Sequence, residues 1–443
     1  MFGLKLYQSA PIIIQSCLIS ARALVRKKLR ENKHTAELTE SLLGLERSDS
    51  ALEKYRQEKL DSVLISARKN TSAYANTPLS IENFEFVNKE SLLTNSAAFL
   101  NKSHSGVVIK GSTSGTTGTP LSIPQNMESV LTEQAFTSRY LKWAGFKEGD
   151  RRAWIRGDLI VPIKQTQSPF WRYSYFEDMI LLSSFHMSRD ALPQYIQAMV
   201  SYGVDIIQAL PSSIVMLAKY LESVDKYYPE TLKSVITSSE SLSWEDKQLI
   251  EKRFKCMVFD WYGLFERVAA IGSCEYGRYH ILTDYSHVEL LPAGIVDGKQ
   301  RAEIVGTNFN NSLYPLIRYK TGDHVILSDE ISCPCGRVYP MVESIEGRTS
   351  SYLIAANNQK VYSVSHISKG VAGLLSCQFI QKSRGEITIL VVIDHRFIAS
   401  EEKKLIASAQ LRLGDIVVII EKVTSVPRTK NGKVRQAICL IKD

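Results

Sequence analysis

Gly111-Ser-Thr-Ser-Gly-Thr-Thr-Gly-Thr-Pro120 packs three glycines and six hydroxyl side chains into ten residues. Glycine lets a loop turn successive backbone N–H groups inward, and serine and threonine add hydroxyl donors, so the stretch is suited to surrounding phosphate. The lysine of a Walker loop is missing, and the positive charge must come from a metal or a distant cation. The same composition also fits a flexible linker. Apolar flanks, Gly106-Val-Val-Ile-Lys110 and Leu121-Ser-Ile-Pro124, predict a loop joining two short strands.

Working outward, residues 1 to about 75 carry apolar positions at helical spacing, with a helix starting near Pro11. From about 105 onward helices and strands alternate. Helices are predicted near Glu128–Trp143, Pro193–Tyr202 and Pro211–Val224, with strands at Val204–Gln208 and Ser234–Thr237. That alternation is an α/β signature. Strands dominate from about 256 to 345, including Val288–Leu291, Ala302–Val305 and Asp323–Leu327. The last segment, from about 349, mixes a strand at Glu386–Ile393 with a helix near Glu401–Leu413, a small α+β domain.

The length of 443 residues suggests about two or three domains. A formal charge of +8 without a long basic block suits nucleotide-sized anions and argues against a dedicated nucleic-acid surface. Seven scattered cysteines predict a reducing, cytoplasmic setting rather than a disulfide framework. The apolar stretch Ala10–Ser20 is interrupted by Gln15 and Ser16 and is too short to span a bilayer; it reads as a helix packed on the protein, with peripheral membrane contact the less favoured alternative. The basic-aromatic run Trp171–Phe176 is read as a pocket wall or helix face in preference to a base-stacking platform.

Four further segments carry chemistry. Phe259-Asp-Trp-Tyr-Gly-Leu-Phe-Glu266 places an aromatic, a glycine turn and a carboxylate at a strand end, where Tyr262 and Gly263 could line an adenine and Glu266 could hold magnesium. Arg318-Tyr-Lys-Thr-Gly-Asp323 reads as a tight turn fixing a carboxylate that suits paired ribose hydroxyls. Glu346-Gly-Arg348 offers a guanidinium for the same sugar and phosphate. In Pro427-Arg-Thr-Lys-Asn-Gly-Lys433, Asn431-Gly432 predicts a sharp hairpin that presents Lys433. Taken singly, each is as common in structural turns.

In order and spacing these segments resemble the adenylate-forming superfamily of acyl-CoA synthetases, peptide-synthetase adenylation domains and luciferases. The Cys-Pro-Cys-Gly-Arg motif and the N-terminal helical stretch look most like the phenylacetate-CoA ligase branch, and within it the CapK-like proteins associated with capsular polysaccharide biosynthesis. The resemblance spans nearly the whole chain. It implies a large multi-subdomain N-terminal domain, residues 1–348, and a small mobile C-terminal lid, residues 349–443. It also implies ATP- and magnesium-dependent activation of a small-molecule carboxylate through an acyl-adenylate. The acyl group would pass to coenzyme A or, alternatively, to an amine or hydroxyl acceptor. A catalytically silent nucleotide-binding module is the reading of another class. A homodimer would be compatible with the branch.

By motif position the resemblance assigns phosphate to Ser112, Thr113, Ser114, Gly115, Thr116, Thr117 and Gly118, and the adenine-side loop to Ser239 and Glu240. It gives magnesium to Glu266, ribose to Asp323 and Arg348, and the α-phosphate region to Lys433. Two positions depart from the family pattern: Phe265 replaces a small hydroxyl residue, and Thr349-Ser350-Ser351 replaces an acidic hinge. Finally, Cys274, His280, Cys333 and Cys335 form a Cys3His set suited to a closed structural zinc site; the alternative is three reduced cysteines near a turn.

Overall fold

The computed structural model describes residues 5–112, 120–348, 352–361 and 364–441. It divides into two compact units, one built from Met1–Ala23, Glu148–Val258 and Thr349–Asp443, the other from Leu24–Lys147 and Phe259–Arg348.

The first unit contains an α/β layer whose strands run in the order Trp171–Ser174, Met179–Leu182, Arg152–Ile155, Ile206–Ala209 and Ser234–Ser238. The last four pair in parallel, and Trp171–Ser174 joins antiparallel. Strands covered on both faces read as continuous apolar runs, and all four residues of Ile206–Ala209 are buried. The covering helices Leu192–Tyr202, Pro211–Ser223 and Trp244–Phe254 are bounded by local signals. Pro211 opens the second, and Gly203, at φ 73°, ends the first in a left-handed cap.

The outer edge of Trp171–Ser174 is covered by the helix Ile12–Arg30, which turns a polar face inward. Ser16 Oγ accepts from Tyr173 N at 3.3 Å, Ser20 Oγ accepts from Tyr175 N at 3.0 Å, and Gln15 accepts from the buried Arg172 guanidinium at 2.5 Å. The reading of Trp171–Phe176 as a helix face is therefore corrected. The run is an edge strand, and its arginine serves the helix that covers it.

The C-terminal segment of this unit has a four-stranded sheet in the order Val417–Lys422, Glu386–Ile393, Leu374–Gln381, Ala437–Cys439, backed by the helix Ala399–Leu413. Phe379, Ile387, Ile389, Leu405 and Leu413 form its core. Leu375, Leu390, Val392 and Val426 join the core of the α/β layer.

The second unit combines the helices Lys33–Leu45, Asp49–Asn70 and Met127–Trp143 with an antiparallel sheet. The sheet includes the pairs Ala270–Ser273 with Tyr279–Ile281, Tyr319–Leu327 with Met341–Arg348, and Lys299–Asn308 with Ser286–Val296. Arg318–Asp323 is not a turn. Tyr319–Leu327 is one strand in which Glu303 pairs with His324 and Val305 with Lys320. Thr321, Gly322 and Asp323 thus bulge opposite Ile304, with Gly322 at φ 71°. The flanks of the 111–120 loop likewise meet through isolated bridges, Ile109 to Gln125 and Ser112 to Ser122, rather than strands. Among the described residues no helix is long and apolar enough to cross a membrane.

Candidate active site

Tyr262 and Gly263 end the strand Met257–Gly263 and belong to the second unit, as do Phe265 and Glu266 just beyond it. Glu266 and Asp323 are buried, with 3% and 4% exposure. Tyr319 Oη donates to Glu266 Oε1 at 3.4 Å, and Tyr262 Oη donates to Asp323 Oδ2 at 2.8 Å. The bulge aims Asp323 through the bond from its own N–H to Thr321 Oγ1 at 3.0 Å. Arg348 is its Cα partner on the neighbouring strand. Phe265 lies over Gly111, where an added Cβ would come 2.2 Å from the ring. A side chain at 111 would therefore require the Phe265 ring to move. Ser112 is placed beside Ser122, while Thr113, Ser114, Gly115, Thr116, Thr117, Gly118 and the hinge residues Thr349–Ser351 lie outside the described residues.

In the first unit, the predicted hairpin forms around Asn431-Gly432. Gly432, at φ 71°, donates to Thr429 O, and Thr429 N donates to Lys433 O, each at 2.9 Å. The hairpin rests on Gly157, where a Cβ would lie 1.7 Å from Asn431 O. Arg428 Nη1 donates to Gly432 O at 2.7 Å and to Ser212 Oγ at 3.2 Å. The Glu240 carboxylate accepts from two backbone amides, Ser212 N at 2.9 Å and Val434 N at 2.8 Å. Ser239 sits at φ 74°, uncommon for a non-glycine residue, and its hydroxyl accepts from Arg156 Nη2 at 2.6 Å. Sequence reasoning had no cue to Gly157, Ser212 or the contacts of Arg428, because their partners are remote in the chain.

Cys274, His280, Cys333 and Cys335 converge in the second unit, all buried, with their ligand atoms within 4.8 Å of one another. Cys274 Sγ lies 3.6 Å from Cys333 Sγ, and Cys335 Sγ lies 3.4 Å from His280 Nε2. Tetrahedral zinc with ordinary bond lengths requires about 3.8 Å between sulfurs and about 3.6 Å between sulfur and nitrogen. Each cysteine loop closes as a turn, Gly277 N to Cys274 O at 2.8 Å and Gly336 N to Cys333 O at 3.0 Å. The turns aim Tyr276 N at Cys274 Sγ and Arg337 N at Cys335 Sγ, both at 3.4 Å. Burial pushes the His280 imidazole down to about 4, with hydrogen bonding to the Tyr339 backbone opposing, so the ring is the neutral form a metal needs. The four residues fit zinc.

Beside this cluster Arg337 stacks 3.9 Å over Trp143 and lies 3.3 Å from buried Glu46. Burial pushes the Glu46 carboxyl up, while Arg139 and Arg337 pull it down. Arg139 in turn is paired with fully buried Asp284.

Comparisons with known proteins bear on the fold. Residues 353–439 match the CapK C-terminal domain family. Protein CapK of Staphylococcus aureus is 24% identical over 459 residues, covering 99% of both chains. A 2-hydroxyisobutyryl-CoA ligase in the postadenylation state, in complex with R3-HIB-AMP, superposes with a TM-score of 0.63 at 16% identity, over 88% of this chain and 89% of that one. The fold is that of the adenylate-forming enzymes. The same ligase in its thioesterification state, with 2-HIB-AMP and CoA, gives a TM-score of 0.52 at 17% identity, over 89% of this chain and 91% of that one.

Proposed function

We propose that the protein is an ATP- and magnesium-dependent ligase that activates a small carboxylic acid as its acyl-adenylate and transfers the acyl group to coenzyme A. The observation that carries this reading is the pair of buried carboxylates, Glu266 and Asp323, each held by a tyrosine hydroxyl. Glu266 would hold a magnesium ion, which when bound would neutralise phosphate oxygens. An acceptor-only, buried carboxylate fits such an ion. Asp323, fixed by its bulge, suits two ribose hydroxyls, and the Arg348 position opposite it suits the same sugar.

In this reading the acid's carboxylate oxygen attacks the α-phosphorus, the bond to pyrophosphate breaks, and charge builds on the phosphoryl oxygens. The protein contributes position and charge rather than covalent chemistry. Lys433 supplies the cation that the hydroxyl-rich loop lacks. The hairpin around Asn431-Gly432, docked on Gly157, fixes its backbone. Ser239 and Glu240 belong to the adenine-side loop, and residues 349–443 act as a lid that changes position between the two half-reactions. The three retained charges at Glu266, Asp323 and Lys433 oppose a silent binding module.

Carboxylate-dependent exchange of labelled pyrophosphate into ATP tests the reading, using pooled aryl, amino and short-chain acids with magnesium and no coenzyme A. Exchange with one pool identifies the acid class; adding coenzyme A, then amines or hydroxyl acceptors, identifies the acceptor. Failure of every pool while ATP still binds favours the silent module. Structural zinc at the Cys3His cluster is part of the same proposal, and elemental analysis giving less than about 0.3 zinc per chain after gentle purification rejects it.

A further inference from the structure

We infer that Glu240 is a positioning residue: its carboxylate clasps the hairpin that carries Lys433 and couples that hairpin to the 237–241 loop. One oxygen holds Ser212 N, in the first turn of the Pro211–Ser223 helix, and the other holds Val434 N, the residue immediately after Lys433. A carboxylate is favoured at a helix amino end, where N–H groups lack intrahelical partners. This one spends its second oxygen on a different element. Lys433 is consequently fixed on both sides, by Glu240 through Val434 and by Thr429 Oγ1, which accepts from Lys433 N at 3.2 Å.

Arg428 reinforces the clasp from the hairpin side. Its guanidinium reaches Ser212 Oγ and Gly432 O, so opposite charges from the loop and the hairpin meet at the same helix end. Burial lowers the Arg428 pKa, and the neighbouring Glu240 charge opposes that shift.

The residue before the clasp gives it a trigger. Ser239 sits in left-handed backbone, and its hydroxyl accepts from Arg156. Such conformations persist only where surrounding contacts enforce them. A ligand that replaces the Arg156 contact or reshapes residues 237–241 would shift Glu240 and release Val434. Occupancy of this loop is thereby read out at Lys433, through two hydrogen bonds on one side chain. The functional consequence rests on the adenylation reading; the clasp itself does not.

The test compares full-length wild type with Glu240→Gln and Glu240→Ala. Amide hydrogen exchange of the 427–434 peptide is measured without ligand, with the Ile206–Ala209 strand as folding control. Pyrophosphate exchange then gives kcat and KM for ATP. The alanine variant should exchange in the hairpin about tenfold faster, and the glutamine variant, with one acceptor oxygen, should fall between. In the alanine variant kcat should fall by about a hundredfold while KM for ATP stays within about threefold, with partial rescue by glutamine.

Unchanged hairpin exchange in a folded alanine variant overturns the clasp. Faster exchange with unchanged kcat overturns the positioning role. A defect confined to KM makes Glu240 a nucleotide ligand instead and also overturns it. If the wild type exchanges pyrophosphate with no acid, the adenylation reading fails, and hairpin exchange alone still decides the clasp.

Discussion

Gly157→Ala is a one-methyl perturbation aimed at the docked hairpin. The added Cβ would stand 1.7 Å from Asn431 O, 2.2 Å from Asn431 C and 2.9 Å from Gly432 N. Non-bonded carbon contacts settle near about 3.5 Å, so the hairpin must retreat by roughly 1.5–2 Å. A retreat of that size lengthens the 2.8 Å bond from Val434 N to Glu240 beyond hydrogen-bonding range. Losing a charge-assisted bond costs about 1.5–3 kcal/mol. A misplacement on this scale costs on the order of a hundredfold in rate, about 2.7 kcal/mol. Adenylation measured by pyrophosphate exchange should fall accordingly, while hydrogen exchange quickens in residues 427–434 and stays slow in Ile206–Ala209. Wild-type exchange rates in both assays would refute the claim that the glycine contact sets Lys433.

Three other outcomes are expected. Cys333→Ser removes one of four converging ligands and should lower bound metal to well under one per chain, with free-thiol titration and elemental analysis as the readout; a full metal complement would exclude Cys333 as a ligand. Arg139→Met strands the buried Asp284 carboxylate and should destabilise the protein by about 3–5 kcal/mol in urea denaturation, with the double variant Arg139→Met, Asp284→Leu recovering most of the loss. Burial holds His186 and His287 below the ordinary histidine value. As pH falls below about 6.5 the unfolded chain therefore binds protons that the native chain refuses, and the unfolding free energy drops. His186→Gln should flatten that slope in urea titrations between pH 7 and 5.

Local chemistry was legible in the sequence and remote pairing was not. Ile206–Ala209 and Ser234–Ser238 were legible because each centres on β-branched residues, Ile206-Ile207 and Val235-Ile236-Thr237, and both strands are buried throughout. The Lys433 hairpin read correctly because Asn-Gly dictates its own turn. Thr321-Gly322-Asp323 was misread as a turn because a bulge and a turn ask the same backbone freedom of glycine, and only the partner strand distinguishes them. Tyr262 and Asp323 were both singled out, but the bond between them spans 61 residues. The partners of Glu240 lie 28 and 194 residues away, so its motif position pointed to a nucleotide loop without revealing the two amides its carboxylate holds. The Cys3His cluster was visible in composition, whereas the Gly277 and Gly336 turns that aim N–H groups at sulfur emerge only from the fold.

The hydroxyls of Ser16 and Ser20 stand in for a neighbouring strand. Four residues of helix rise about 6.0 Å and two residues of strand about 6.6 Å, so an i, i+4 pair of serines keeps step with the amides of Tyr173 and Tyr175. A helix can therefore seal a strand edge without entering the sheet, its two hydroxyls standing where a strand's carbonyls would and the Gln15–Arg172 bond and buried Ile19 holding it in place. Once that helix lifts, Trp171–Ser174 becomes a template on which another chain can add a strand. Substitutions such as Ser16→Leu with Ser20→Leu should thus reveal themselves through concentration-dependent self-association, while the α/β layer beneath remains folded.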